Sequence, residues 1–450
     1  MSKPVFTHTQ DELRQIAGEM LQYAKEKGAS DASVEISEGG GLSVSVRKGK
    51  VETIEQNRDK GIGITVYLGQ KRGNASTSDF SRQALRDTVE AAYNIARFTA
   101  EDDCAGLADA EMLEMHPQDL KLCYPWQISA EDAIAIAQRA EAAAFAVDKR
   151  ISNSEGAGVH VQQSHFVSAN SRGFIGGYPI SRHTISIAPI AGKGAHMQRD
   201  DWYSSQRDPK KLAQPEAIGR YAAERALARL HGRKLDTRKC PVLFEAPLAA
   251  GLLGSFVQAT SGGVLYRKSS FLLDTLGQQI FPSHLQIRED PHVVGGIGSS
   301  PFDDEGVRTQ KRDVVKNGVL QGYFLSSYSA RKLGMTTTGN AGGSHNLALT
   351  SSATRKADNF AAMLKKMGTG LLVTELMGDG VNYVTGDYSR GASGYWVENG
   401  VIQYPVEEIT IAGNLREMFT QIVAIGSDVL VRGTKQTGSI LIENMTIAGS

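Results

Sequence analysis

None of the ten histidines in this 450-residue chain stands in the His-Glu-x-x-His spacing. That spacing sets two imidazoles on one helix face beside a carboxylate that activates water. His160 and His165 are five apart in one predicted strand, so the pleat sends them to opposite faces. Spacing alone offers no self-contained zinc site. A nucleophile is no better supported. Ser329-Ala-Arg-Lys332 matches S-x-x-K, in which a lysine one helical turn on could activate the serine. The K-T-G partner is absent, and Ser344-His345-Asn346 carries histidine where the companion motif needs aspartate. The plain alternative is a solvated helix. No G-x-S-x-G elbow and no G-x-x-x-x-G-K-[ST] phosphate loop occurs. Phe302-Asp303-Asp304-Glu305-Gly306 could hold a hard cation through its carboxylates, or be a solvated turn.

Two glycine-rich stretches could act by binding instead. Thr385–Trp396 sets Asp387, Tyr388, Ser389 and Arg390 among glycines, and Thr338–Asn346 ends on His345 and Asn346. Glycine lets another backbone approach closely, as when a peptide adds a strand. His345, Asn346, Asp387, Tyr388 and Arg390 are accordingly the candidates for touching substrate or partner, with tight turns as the structural alternative. One further stretch, "EAPLAAGLLG" from Glu245 to Gly254, follows the apolar run "CPVLF" and opens a predicted helix. Many enzymes place their chemistry at such a junction, yet this one offers a single carboxylate.

The elements that must position these residues fall into three blocks. Thr9 and Glu12 make a capping box, and Leu13, Ile16, Ala17, Met20, Leu21 and Ala24 form one apolar helix stripe ended by Gly28. Three strands follow, with rough alternation across "SVSVRKGKVETIE", then a helix over about 81–98. The order helix, three strands, helix recurs from Ser129 to about Leu230, which suggests an old duplication with the same strand order in both copies. The segment 101–126 reads as a linker on the surface. From about residue 234 glycine becomes frequent and helices short. Asn317-Gly318 and Asn399-Gly400 predict type I′ hairpins, because both central residues need positive φ. Helices are predicted through "GLLGSFVQATSG", "SSYSARKLG", "NFAAMLKKMG" and "NLREMFTQIVAIG". The fold class is α+β: two consecutive helix–three-strand–helix units, 1–100 and 127–233, then a larger sheet-rich domain, 234–450, with Asn-Gly hairpins.

Lys+Arg and Asp+Glu both total 49, so the formal net charge is zero and no basic stripe announces nucleic-acid binding. Cys104, Cys123 and Cys240 are odd in number and form no C-x-x-C, which argues against a disulfide framework or a cysteine-rich zinc site. There is no secretory apolar segment near the start and no apolar run of the ~20 residues a membrane span needs. A soluble cytoplasmic protein, binding neither nucleic acid nor membrane, is expected.

Longer stretches carry a resemblance. "GGVLYRKSSFLLDTLG", "DDEGVRTQKRDVVKNGVLQGYFLSSYSARKLG", "MGTGLLVTELMGDGVN" and "TGDYSRGASGYWVENGVIQYPVEEITIAGNL" closely resemble the TldE/PmbA family, once described as modulators of DNA gyrase. So does "SVSVRKGKVETIEQNRDKGIGITVY" in the first block, so the resemblance covers essentially the whole chain. It implies one half of a TldD/TldE heterodimeric peptidase that degrades or trims flexible peptides, such as an antitoxin or a microcin precursor. It also implies that zinc sits in the TldD-like partner, on a His-Glu-x-x-x-His stretch and a cysteine near that chain's C-terminus. Laid over this sequence, the motif falls on Glu245, Ala246 and Ala250. No cysteine follows Cys240, and the tail offers Thr437 and Ser439. A base and about three ligands are needed for hydrolytic zinc. The expectation is therefore no cofactor and no catalytic residue in this chain, with partnership and peptide binding as its role and a homodimer when alone. A peptide-binding or regulatory adaptor acting as a homodimer without any peptidase is the alternative.

Overall fold

The computed structural model describes residues 6–449. Helix α1 (Gln10–Glu26) starts as its capping chemistry predicts: Thr9 Oγ1 accepts from the Glu12 amide, and the Glu12 carboxylate accepts from the Thr9 amide. Strands β1 (Asp31–Arg47), β2 (Lys50–Leu68) and β3 (Lys71–Thr77) form an antiparallel meander, followed by α2 (Arg82–Phe98) with Ser81 as its N-cap. The second unit has α3 (Ala130–Phe145), β4 (Ile151–Asn170), β5 (Ile175–Gly176), β6 (Pro179–Ala191), β7 (Gln198–Arg199), β8 (Trp202–Gln206) and α4 (Pro215–Ala228). Its main strands also pair in sequence order, β4 with β6 and β6 with β8, but the unit holds five strands rather than the three expected, because the short β5 and β7 add to β4 and β6.

The two units share one sheet. β1 pairs antiparallel with β4 from Ser33↔Asn170 to Val46↔Ala157, giving eight strands in all. Ala32, Val34 and Ile36 of β1 pack under α1 and α2, while Val44 and Val46 pack under α3 and α4. These residues alternate along one strand, so all four helices cover the same face. The other face carries Ser33, Glu35, Ser37, Ser43 and Ser45, and Phe166, opposite Ser37 in β4, packs there against Phe302 of the third domain.

β1 and β2 are longer than their sequence suggests. The Gly39–Gly41 run continues β1, and the connection to β2 is a tight turn at Lys48 (φ 51°) and Gly49 (φ 72°). Lysine is a poor residue for positive φ. The turn is held from outside: the buried Glu141 carboxylate of α3 accepts from the Lys48 amide at 2.8 Å and the Gly49 amide at 2.7 Å.

Segment 101–126 is fastened down by the third domain. Arg331 donates to the carbonyls of Cys104, Gly106 and Leu107, and Arg308 to those of Glu111 and Leu113. Leu113 shares a small core with Phe174, Phe302 and Val307.

The third domain runs β9 (Arg238–Phe244), α5 (Ala246–Ala259), α6 (Gly262–Tyr266), β10 (Leu285–Asp290), β11 (Arg312–Lys316), β12 (Val319–Leu320), α7 (Ser327–Lys332), β13 (Asn346–Ser351) and α8 (Phe360–Met367). It continues through β14 (Gly370–Met377), β15 (Asp387–Glu398), β16 (Val401–Asn414), α9 (Leu415–Thr420), β17 (Ile422–Ile425), β18 (Lys435–Gln436) and β19 (Ile440–Ala448). One sheet has the order β12-β11-β10-β13-β18. The other runs β16-β15-β14-β9-β19-β17, and β16 also pairs with β19, so five strands close on themselves. Both Asn-Gly turns form as predicted, with φ of 50° and 78° at Asn317-Gly318 and 52° and 76° at Asn399-Gly400. The helix predicted through "NLREMFTQIVAIG" stops at Thr420. "IVAI" is β17, because Ile422 and Ile425 bury themselves by pairing with β19. No helix among the described residues is long and apolar enough to cross a membrane.

Candidate functional site

The stretch "EAPLAAGLLG" sits where β9 hands over to α5, with Glu245 as the N-cap residue and Pro247 in the first turn. Proline there fits, since its missing N–H is not needed. The Glu245 side chain does not cap the helix; its Oε1 accepts from Arg225 Nη1 at 2.8 Å. Arg225 comes from α4 of the second unit, and its Nε donates to Asp200 at 3.1 Å. Arg229, one turn on, lies 3.6 Å from Asp200 and also pairs with Glu375 of β14. Side chains of Arg225, Asp200 and Glu245 are only 10–13% exposed. Trp202 packs under two guanidiniums, Arg225 at 5.1 Å and Arg432 at 3.6 Å from the ring centre. The group joins α4, β8, β14 and the β9–α5 junction.

Electrostatics follow the burial. Burial opposes the charge of Arg225, but Glu245 and Asp200 outweigh it and hold its pKa above the ordinary arginine value. Burial drives the Glu245 carboxyl up, with Arg225 offsetting it only in part. Its Oε2 is buried without a hydrogen-bond partner. The Tyr395 hydroxyl nearby is pushed up to about 12 by burial. The tail arrives at the same junction: Ile440 pairs with Phe244, and the buried Thr437 and Ser439 precede it. Ser439 Oγ donates to Asp428. Among the described residues no group of three or more His, Cys, Asp or Glu could hold a metal ion.

The glycine-rich candidates lie on different sheets. His345 and Asn346 lead into β13 and point inward. The His345 amide and Nδ1 bind Glu289 Oε1 at 2.8 and 3.0 Å, and Asn340 donates to the same oxygen at 2.8 Å. Arg312 donates to Glu289 Oε2 at 2.7 Å. Burial pushes the Glu289 carboxyl up, but His345 and Arg312 override it and hold it down at about 2. Asn346 is spent on the Asp290 carbonyl, Ser299 and the Gly298 amide. Asp387, Tyr388 and Arg390 begin β15 in the barrel sheet. Asp387 is exposed and accepts from Thr385 and Asn414, while Tyr388 is buried and its hydroxyl is pushed up to about 12 by burial, with Arg390 opposing. The close approach that the glycines permit is internal: a Cβ on Gly394 would meet the Leu372 carbonyl oxygen of β14 at 1.8 Å.

The remaining motifs are structural. Ser329 Oγ is part of the Ser326 capping box of α7, and Lys332 Nζ turns away to Asp102 at 2.8 Å. The two form no nucleophile–base pair. Asp303 accepts from the amides of Glu305, Val307 and Ala341, which makes the acidic run a pinned turn. His160 and His165 do take opposite faces: His160 meets Ser43, while His165 lies by the buried Glu38, which also accepts from His8 at 2.6 Å. Sequence reading missed Asp200, Arg225, Arg229 and Glu375. Their only signal was burial of charge, which no local pattern carries.

An αβ chain of two fused meander units and a partly closed third-domain barrel is the architecture of a three-domain metallopeptidase family. Family models match here in three consecutive pieces: PmbA/TldA metallopeptidase domain 1 over residues 32–96, the central domain over 123–230 and the C-terminal domain over 237–449. The chain belongs to the PmbA/TldA metallopeptidase family. It is 50% identical to the metalloprotease PmbA of Escherichia coli O157:H7 over 97% of both chains. It is 46% identical to a PmbA homolog of Haemophilus influenzae over 98% of this chain and 97% of that one. A crystal structure of a protein described as a modulator of DNA gyrase, from Bacteroides thetaiotaomicron, superposes with a TM-score of 0.92 at 27% identity, covering 98% of this chain and 99% of that one. TldE of Thermococcus kodakarensis shares the fold, with a TM-score of 0.83 at 20% identity, over 96% of this chain and all of that one.

Proposed function

We propose that this chain is the non-zinc subunit of a two-chain metallopeptidase whose hydrolytic zinc lies in a TldD-like partner of the same family, and that the pair acts on unfolded or flexible peptides. The observation that carries this reading is Arg225. At the junction where the resemblance lays the zinc motif, a guanidinium, permanently charged, lies between Glu245 and Asp200. Ala246 cannot serve as a base, Ala250 cannot bind metal, and the one carboxylate left is already bound to a cation. These residues do not fit a zinc ion. Its contribution is to complete the partner's chamber and to hold extended peptide. A relative named as a TldD homolog, from Buchnera aphidicola, is 22% identical over 87% of this chain, which supports a partner built on the same plan.

The test is a flexible-peptide assay with added zinc, run on this chain alone and with the TldD-like protein of the same genome. Turnover is expected only in the mixture. Robust zinc-dependent turnover by this chain alone overturns the proposal. Peptide binding with no turnover in either case favours the adaptor.

A further inference from the structure

The seam between the eight-stranded sheet and the third domain gathers cations that no acid of the chain pairs. Arg182 of β6 stands opposite Gln162 of β4, on the sheet face where Phe166 meets Phe302. It is exposed. Its Nε donates to Ser205 Oγ at 2.9 Å and its Nη2 to the Arg432 carbonyl at 3.2 Å, which leaves Nη1 unused. Arg207, just past β8, donates to the carbonyls of Leu122, Ser181, Gly296 and Ile297. Arg432 packs against the rings of Trp202 and Tyr203, and its Nη2 is buried without a hydrogen-bond partner. Among the described residues none of these three arginines is in an ion pair.

A buried charge is normally paired, because desolvation is unfavourable. Burial works against the charge of Arg207 and of Arg432, and a neighbouring guanidinium adds to it in each case, Arg182 at Arg207 and Arg225 at Arg432. The nearby acids are engaged elsewhere: Asp201 pairs with Arg199 at 3.4 Å, and Asp208 accepts from the Lys210 amide. A cavity of about 240 Å³ is lined by Arg182, Arg207, Gln162, Ser164, Ile180 and Ile297, with no acidic residue in its wall. It is smaller than the ~300–1,000 Å³ that encloses a whole small molecule. It suits one acidic group on a longer chain. A guanidinium fork matches a carboxylate in plane, and Gln162 and Ser164 offer further donors.

We propose that this seam is a carboxylate-binding site that anchors an acidic peptide: Arg182 binds the carboxylate through Nη1, and Arg207 and Arg432, held in place by their neighbours, supply further positive charge. The inference rests on the peptide-binding reading above. The carboxylate is either the chain end or an aspartate or glutamate side chain. Fluorescence anisotropy tests it, with the full chain and a dye-labelled Gly/Ser-rich peptide carrying a central aspartate pair and a free C-terminus. Further versions have asparagine for aspartate, an amidated C-terminus, or both. The doubly neutral version should bind about tenfold more weakly, the loss expected for a charge-assisted pair. Whichever single change reproduces that loss identifies the bound carboxylate. Arg182→Met should weaken the acidic peptide by the same factor and leave the neutral one unchanged. Arg182→Lys, which keeps the charge but not the fork, should recover only part of the loss. Equal affinity for acidic and neutral peptides overturns the proposal. So does an Arg182→Met chain that binds the acidic peptide as tightly as wild type, or one that weakens both peptides alike. Binding is read without turnover, so a mixture that hydrolyses nothing counts against the peptidase reading and leaves this result standing.

Discussion

Replacing Arg225 with methionine removes the guanidinium that joins Asp200 to Glu245. Asp200 keeps Arg229 at 3.6 Å and the Asp201 amide at 2.8 Å, but Glu245 loses the only donor on Oε1, and Oε2 has none. Stranding a buried charge costs about 3–5 kcal/mol. Asp200 stays partly satisfied, so the low end, ~3 kcal/mol, applies, and a domain of this size should melt ~6–12 °C lower. Removing Glu245 as well, in Arg225→Met with Glu245→Leu, should recover most of that loss, because the stranded charge is gone. pH gives an independent reading. Burial already raises the Glu245 carboxyl, and losing Arg225 raises it further. A raised carboxyl pKa means the folded state binds a proton the unfolded state has released, so stability falls as pH rises above ~4.3. The variant's deficit should therefore shrink as pH is lowered toward that value. Thermal melts of the wild type and the single and double variants from pH 4.5 to 8 decide the matter. A deficit below ~1 kcal/mol, one that ignores pH, or a double variant as unstable as the sum of its parts would refute the reasoning.

Glu289→Gln should cost ~3 kcal/mol at neutral pH. Because the folded pKa is depressed to about 2, the wild-type advantage should be full above ~4.3 and vanish as pH falls toward 2, which acid titration of both proteins checks. Gly394→Ala drives a Cβ into the Leu372 carbonyl and should destabilise the third domain by ~2–4 kcal/mol in denaturant melts. Lys332→Met breaks a partly exposed pair with Asp102 and a contact over the Tyr328 ring, so its stability change should stay near ~1 kcal/mol, and activity reconstituted with the partner should be unchanged.

Legibility in the sequence tracked how local the physics was. The Thr9–Glu12 box and both Asn-Gly turns are decided by residues within four positions of one another, and each formed as read. The Lys48-Gly49 turn was hidden because its support, Glu141, comes from another unit. "IVAI" looked like the end of a helix because a short apolar run has no period of its own; pairing with β19, where Ile422 meets Ile442 and Ile425 meets Ile440, made it a strand. The candidate site was legible only through family resemblance at Glu245, Ala246 and Ala250. What occupies that junction, a ring of charges drawn from four elements, has no sequence spacing to detect.

The closed barrel also sets a timetable. β9 lies between β14 and β19, so the apolar run Pro241-Val242-Leu243-Phe244 has neither neighbour when it leaves the ribosome. One edge is covered after Met377 emerges and the other only after Ala448. Pairings so distant in sequence form slowly and leave hydrophobic strand edges exposed meanwhile. The eight-stranded sheet is different: once Gln206 and α4 have emerged, all of its strands are present, and it can fold while the third domain is still being made. A nascent chain stalled between β9 and β19 would thus pair a finished first half with an unfinished, adhesive second half, the stage at which this protein is most exposed to aggregation.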